Sequence, residues 1–198
     1  MKKILLTLII LLSFNVVFAA EKKQDLLDNI ANIKTFTADF KQINTLKDFG
    51  DDEYTGKVYI KMKEKALWDY VEPYSSWYLV TKDNVDYYDE INNQLLKINS
   101  KEIKEHILLQ VLMDFQKIKS TFSVSQKNNV VTLKPKSDTG VIYINIVFNN
   151  SVIEKLQSKD NTGNTTEIIF TNVEQDKKIS DKVFNKKVPK DATIIKEK

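Results

Sequence analysis

The chain has 198 residues, of which 30 are basic; all of these are lysines, there is no cysteine, and the formal charge is +3. Without cysteine the chain can form neither a disulfide nor a thiolate metal site, and without arginine it lacks the planar group that usually binds carboxylates and phosphates. Lysines and acidic residues are interspersed, so the charge pattern argues against a nucleic-acid partner.

The first twenty residues have the layout of a secretory signal peptide. Two lysines precede an apolar run from Ile4 to Leu12, and small residues follow at the expected cleavage site. The run is interrupted by polar residues and is short for a bilayer span, which needs about 20 apolar residues. We therefore expect residues 1–19 to be removed on export and residues 20–198 to form a single soluble domain with a formal charge of +1.

A short helical pattern comes next and then gives way to strand patterns. Between Asp25 and Lys34, apolar residues recur on one face of a helix. Phe36, Ala38 and Phe40 then alternate with polar residues, and the segment 54–62 alternates in the same way. Such alternation is typical of strands with one solvent-exposed face and one buried apolar face.

Strand patterns continue towards the C-terminus, separated by turns rich in Asn, Asp and Gly. Both tryptophans of the chain fall within residues 65–80, where Ala66, Trp68 and Tyr70 share one face. We expect Trp77 or Tyr78 to point outward. The last residues predict a short strand that Pro189 keeps at a sheet edge.

One amphipathic segment interrupts the strands. Residues 101–119 carry apolar side chains at three- and four-residue spacing, which predicts a helix. The pattern predicts a mainly β fold with some α, with about eleven strands and two helices. Such a sheet must hide its apolar face by curling, by pairing with a second sheet or by covering itself with helices as a lid, and curling around the helices would leave a cavity between them and the sheet. We place Ile107, Val111 and Leu112 in the lid.

The sequence offers little for catalysis. The only histidine, His106, lies in the predicted lid helix among polar neighbours, so we predict no metal site and no cofactor. Acidic pairs such as Asp51 and Asp52 are better explained as solvated turn charges than as the two carboxylates of a glycosidase. The sequence therefore favours binding over enzymatic activity.

Apolar and aromatic side chains on the predicted inner strand faces are candidates for a lipid-binding cavity. Packing in an ordinary core explains any one of them, whereas aromatic rings and methionine together suit flexible acyl chains. The predicted lining residues are Phe36, Phe40, Val58, Ile60, Met62, Trp68, Tyr70, Leu79, Tyr87 and Leu96.

Several stretches, taken in order, resemble the family of the periplasmic outer-membrane lipoprotein carrier protein LolA. They are "FTADFKQ" from Phe36, "YTGKVYIKM" from Tyr54, "LWDYVEPY" from Leu67, "YDEINNQL" from Tyr88, "LKPK" from Leu133 and "FNKKVPKDATII" from Phe184. The resemblance implies a periplasmic protein built from a curled antiparallel sheet that forms an incomplete barrel lidded by helices. The apolar cavity of this barrel would hold the acyl chains of lipoproteins. The resemblance also implies two membrane partners, the inner-membrane LolCDE transporter and an outer-membrane LolB-like receptor where one exists. We expect a monomer.

The chain departs from this family where a basic residue often closes the lid. Met62 occupies the matching position, and Leu67 stands where many relatives carry arginine before the tryptophan. We expect Met62 to join the lining and the lid to close by packing of Ile107 and Val111. The alternatives are a periplasmic sensor or adaptor of the same fold that binds a regulatory membrane protein, and an enzyme using Asp69 or Glu72 inside the pocket.

Overall fold

The computed structural model describes residues 26–99, residue 111 and residues 118–196. The described helices are α1 (Leu26–Ala31), α2 (Ile118–Thr121) and a 3-10 turn (Asp181–Phe184). The described strands are β1 (Thr35–Leu46), β2 (Gly50–Lys61), β3 (Lys65–Glu72), β4 (Ser76–Thr81), β5 (Asn84–Asp89), β6 (Gln94–Asn99), β7 (Phe122–Lys127), β8 (Val130–Pro135), β9 (Val141–Asn149), β10 (Val152–Asp160), β11 (Thr165–Gln175) and β12 (Thr193–Lys196).

All twelve of these strands belong to one sheet. Their order is β12-β6-β5-β4-β3-β2-β1-β11-β10-β9-β8-β7, and every neighbouring pair is antiparallel except β12 and β6. The end strands β12 and β7 do not pair with each other within this part of the chain, so the sheet is an incomplete barrel. The predicted fold class is confirmed, and the last strand lies at an edge as expected.

Two parts of the sequence-based prediction lie outside the described residues. These are the signal peptide at residues 1–19 and most of the predicted lid helix, including Ile107 and Leu112. Val111 and the residues of α2 are helical. No helix among the described residues is long and apolar enough to cross a membrane.

The alternating pattern of β1 and β2 sets their pairing. The two strands pair along their full length, with Phe36 opposite Ile60 and Phe40 opposite Gly56. Because side chains alternate between the faces of a strand, this register brings the apolar residues of both strands to one face. We call this the inner face; it carries Trp68 on β3 and packs against the helical residues Leu26 and Val111 in one buried cluster.

The opposite, outer face carries a second apolar cluster. Residues 179–192, which we call the C-terminal strap, cover this cluster. The sheet residues buried beneath the strap are Leu67, Trp77, Tyr88 and Leu95. The sequence predicts only a loop and a short strand in this region.

The strap is held by both packing and charge. Phe184 is 4% exposed. The Asp181 carboxylate accepts hydrogen bonds from Lys61 and Lys65, at 2.8 and 2.7 Å. Lys65 Nζ also lies 4.8 Å from the centre of the Phe184 ring. The strap thus completes the outer layer of the fold and leaves the inner face for other contacts.

Candidate binding site on the inner face

The inner face is packed unevenly across the sheet. On β8 and β9, Val131, Leu133, Ile144 and Ile146 have no exposed area, as expected for a closed core. On β3 to β6, Trp68 and Val85 are buried, but five other large inner-face side chains are only half-buried. They are Tyr70, Tyr78, Tyr87, Leu96 and Ile98. This half of the face offers apolar surface that the described residues do not cover completely.

The structure brings most of the predicted lining residues together. Those buried on the inner face are Phe36, Phe40, Val58, Ile60 and Trp68, and Val111 of the predicted lid joins the same cluster. Those half-buried there are Met62, Tyr70, Tyr87 and Leu96. Their part in binding a ligand stays a prediction.

Leu79 lies on the outer face, so its placement in the lining is wrong. Its register partner on β3 is Leu67, and it packs against the outer cluster. The neighbouring Tyr78 pairs with Trp68 and faces inward, contrary to the outward alternative. Trp77 does face outward but is buried. The reason is the two-residue period of a strand, which puts Tyr78, not Leu79, on the side of Trp68.

Aromatic rings form a connected chain across the inner face. The Phe40 ring lies 4.9 Å from that of Trp68 and 5.1 Å from that of Tyr70, both edge to face. Tyr70 lies 6.1 Å from Tyr78, which stacks on Tyr87 at 4.3 Å. These distances are within the range in which aromatic pairs attract each other.

Glycine at position 56 permits this ring packing. Gly56 lies on β2 between Phe40 and Tyr70 in the register of the sheet. A Cβ atom there would collide with the Asp69 carbonyl oxygen and approach the Phe40 ring to 2.8 Å. The glycine in "YTGK" is therefore required by close approach of the neighbouring strand and ring.

The tyrosines of this region are shielded from water. Tyr70 donates to the Gln42 side-chain oxygen at 2.9 Å. Tyr78 stacks on Tyr87, and desolvation by burial is the largest cause that raises the pKa of both.

Tyr54 and Tyr74 continue the tyrosine group towards the end of the strands. Desolvation, followed by the hydrogen bond between the two hydroxyls, raises the pKa of Tyr54 to about 12. Tyr54, Tyr78 and Tyr87, whose pKa values are raised, therefore remain neutral at physiological pH. The alternation of residues 54–62 placed Tyr54 on the face of Met62, but the predicted lining left it out, together with Tyr78 and the neighbouring Tyr74. The two-residue period from Val80 would have added Tyr78.

Neither carboxylate considered for catalysis lines the inner face. Asp69 lies on the outer face and accepts a hydrogen bond from Lys186 at 2.6 Å. Glu72 is exposed at the end of β3 and accepts a hydrogen bond from Thr55. Among the residues that the structure describes, no group of three His, Asp or Glu side chains could hold a metal ion.

Comparison with known proteins agrees with the fold and with the sequence motifs. A family model described as "Outer membrane lipoprotein carrier protein LolA" matches residues 31–187. An outer-membrane lipoprotein carrier protein of Francisella tularensis subsp. novicida is 30% identical over 202 residues, covering 100% of this chain and 98% of the relative.

Two solved structures share the fold. A LolA superfamily protein from Nitrosomonas europaea superposes with a TM-score of 0.51 at 11% identity, covering 81% of this chain and 96% of that one. MucB superposes with a TM-score of 0.51 at 10% identity, covering 82% of this chain and 62% of that one. The family match spans most of the chain and includes the strands that form the inner face. The chain therefore belongs to the outer membrane lipoprotein carrier protein LolA family.

Proposed function

We propose that the protein is a periplasmic carrier that binds the acyl chains of lipoproteins on the inner face and moves lipoproteins from the inner to the outer membrane. One observation carries the proposal: the inner face on β3 to β6 presents large apolar and aromatic side chains that are only half-buried, next to the fully packed inner face of β8 and β9. Flexible acyl chains need such a surface because their burial in water-free surroundings is the source of their affinity.

The energetics favour transfer without covalent chemistry. Burying an acyl chain contributes about 0.8 kcal/mol per methylene, so a chain of fifteen methylenes gains about 12 kcal/mol from leaving water. The membrane offers nearly the same gain, so exchange between membrane and carrier is close to balanced. Loading then needs energy from a partner, and we propose a LolCDE-type transporter as donor and a LolB-like receptor as acceptor.

Release of lipoproteins from spheroplasts tests this function. The purified protein is incubated with spheroplasts, and newly made lipoproteins are measured in the soluble fraction. A Leu96→Glu variant should release at least tenfold less, because a carboxylate on the half-buried inner face disfavours acyl chains. Val71→Glu is the matched control, since Val71 is 61% exposed.

Two results would contradict the proposal. One is a soluble fraction without lipoproteins when the unmodified protein is present. The other is equal release by the Leu96→Glu and unmodified proteins. Capture of a regulatory membrane protein in place of lipoproteins would favour the sensor or adaptor alternative.

A further inference from the structure

Lysines form a row along one end of the sheet. Because neighbouring strands here are antiparallel, the starts of β1 and β3 lie at the same end as the last residues of β2 and β11. On β2 and β3, Lys61 is the register partner of Lys65. Lys34 directly precedes β1, and Lys177 and Lys178 come shortly after β11. The row crosses four adjacent strands spaced about 4.8 Å apart, so it is roughly 15 Å wide. We call this end of the sheet the lysine end.

The charges of the sheet are separated between its two ends. The segments at the lysine end hold eight lysines and four carboxylates; they are residues 34, 61–65, 82–83 and 176–182. The turns at the opposite end hold one lysine and eight carboxylates; they are residues 47–53, 72–75, 89–93 and 160–164. The whole chain has a formal charge of only +3, so the positive end results from where the fold places the lysines.

The lysines of this end outnumber the carboxylates that pair with them. Lys34, Lys178 and Lys182 are exposed, and their side chains form no ion pair with any residue that the structure describes. Lys61 and Lys65 share one carboxylate, that of Asp181, at 2.8 and 2.7 Å. Two lysines on one carboxylate leave a positive charge at this point of the row as well.

A groove of about 810 Å3 lies between these lysines. Its charged lining residues are Lys34, Lys61, Lys178, Lys182, Glu64 and Asp181. Asp176 lies close by, but its carboxylate accepts a hydrogen bond from the Lys34 backbone N–H, at 2.7 Å, and pairs with no lysine side chain in the described part of the chain. The groove therefore has an excess of positive charge, which attracts anions.

The form of the lysine end suits an anionic membrane surface. A site for a single phosphate needs donors that converge on one point, whereas these ammonium groups are flexible point charges spread over roughly 15 Å. Repulsion from the acidic turns is weak at this end. The eight residues of β3, at about 3.3 Å each, separate the two ends by roughly 25 Å, which is more than two Debye lengths at 0.1 M salt.

We propose that the lysine end docks the protein on membrane surfaces that carry anionic phospholipids. Met62 follows Lys61 directly and packs against the inner cluster. Docking by this end therefore brings one edge of the inner face to the lipid headgroups. The inference goes beyond the proposed function, because it assigns the orientation in which the protein meets a membrane, whatever the protein carries.

Binding to vesicles tests the inference. The protein is purified after export and floated with vesicles of phosphatidylcholine, either alone or with one third phosphatidylglycerol. The vesicles with phosphatidylglycerol should bind at least about tenfold more tightly, because each lysine near an anionic surface adds about fivefold to the affinity. Raising the salt concentration from about 0.05 M to about 0.5 M should release the protein, since the Debye length shortens. The Lys34→Glu/Lys178→Glu double variant should bind at least about 25-fold more weakly.

The matched control is the Lys47→Glu/Lys134→Glu double variant, which makes the same change in net charge with two exposed lysines away from the row. This control should bind as the unmodified protein does. Circular dichroism checks the fold of each variant, and Lys177→Glu/Lys182→Glu replaces the first double variant if that one does not fold.

Four results would overturn the docking surface. They are no binding to either kind of vesicle, equal binding to both, equal weakening by the two double variants, and stronger displacement by inorganic phosphate than by sodium chloride of the same ionic strength, which would indicate a site for a single phosphate. The release of lipoproteins from spheroplasts decides the proposed function separately. Release without vesicle binding would remove only the docking surface, and vesicle binding without release would remove only the carrier function.

Discussion

Replacing Phe184 with alanine tests whether the C-terminal strap is part of the folded unit. The Phe184 ring is 4% exposed and packs against the outer cluster, which includes Leu67 and Trp77. Truncating a buried phenylalanine costs about 3 to 5 kcal/mol, and losing a cation–π contact adds about 0.5 to 1 kcal/mol. We therefore expect Phe184→Ala to lower the free energy of unfolding by about 4 kcal/mol. In a chain of this size that corresponds to a fall in Tm of roughly 8 to 16 °C.

The assay is urea unfolding followed by tryptophan fluorescence, with thermal unfolding by circular dichroism beside it. Phe49→Ala is the matched control, because Phe49 is 88% exposed and its removal should change the free energy of unfolding by less than about 0.5 kcal/mol. A loss in Phe184→Ala below about 1 kcal/mol would refute the packing of the strap. An early, separate fluorescence transition in the variant would show that the strap detaches before the sheet unfolds.

Three further predictions concern packing and titration. Gly56→Ala should destabilise the fold by about 2 kcal/mol, measured by urea unfolding, because its Cβ would collide with the Asp69 carbonyl; unchanged stability would contradict the close approach. Asp181→Asn should lower the Tm at neutral pH, because hydrogen bonds from Lys61 and Lys65 lower the pKa of Asp181 from 3.8 to about 2. The carboxylate stabilises the folded state above pH 3.8 and loses this effect as the pH falls towards 2, so the Tm difference between variant and unmodified protein should shrink over that range. A Tm difference that does not change with pH would rule out the ion pairs. Desolvation raises the pKa of Tyr54 from 10.0 to about 12, so the neutral phenol stabilises the folded state up to pH 10 and this contribution is lost as the pH rises towards 12. In an ultraviolet titration, Tyr54→Phe should remove one phenolate that titrates near pH 12; loss of a group that titrates near pH 10 would contradict the burial of Tyr54.

Local patterns predicted much of the sheet because each strand carries its own two-residue period. The alternation from Phe36 to Phe40, and that from Val58 to Met62, identified the inner face of β1 and β2 correctly. Leu79 shows where the prediction is wrong. It is placed in the lining, and Tyr78 is allowed to point outward, whereas the two-residue period from Val80 puts Tyr78 inside and Leu79 outside.

The strap could not be predicted in the same way. Its apolar residues follow neither a helical nor a strand period; they are Ile179, Val183, Phe184 and Val188. Their burial depends on an apolar patch on the outer face that Leu67 and Trp77 form only after β3 and β4 have paired.

The strand pattern, the family motifs and the aromatic character of residues 65–80 can be read from the sequence, because they involve residues close together in the chain. Folding of the whole chain is needed to define which rings meet, to bury the Trp68 indole N–H without an acceptor among the described residues and to lay the C-terminal strap over the outer face. Those features depend on contacts between different strands and between distant segments, such as Lys61 with Asp181, 120 residues apart, whose partners are fixed by strand order and register. Strand order and register are set by the free energy of the whole sheet, and no short stretch of sequence contains that information.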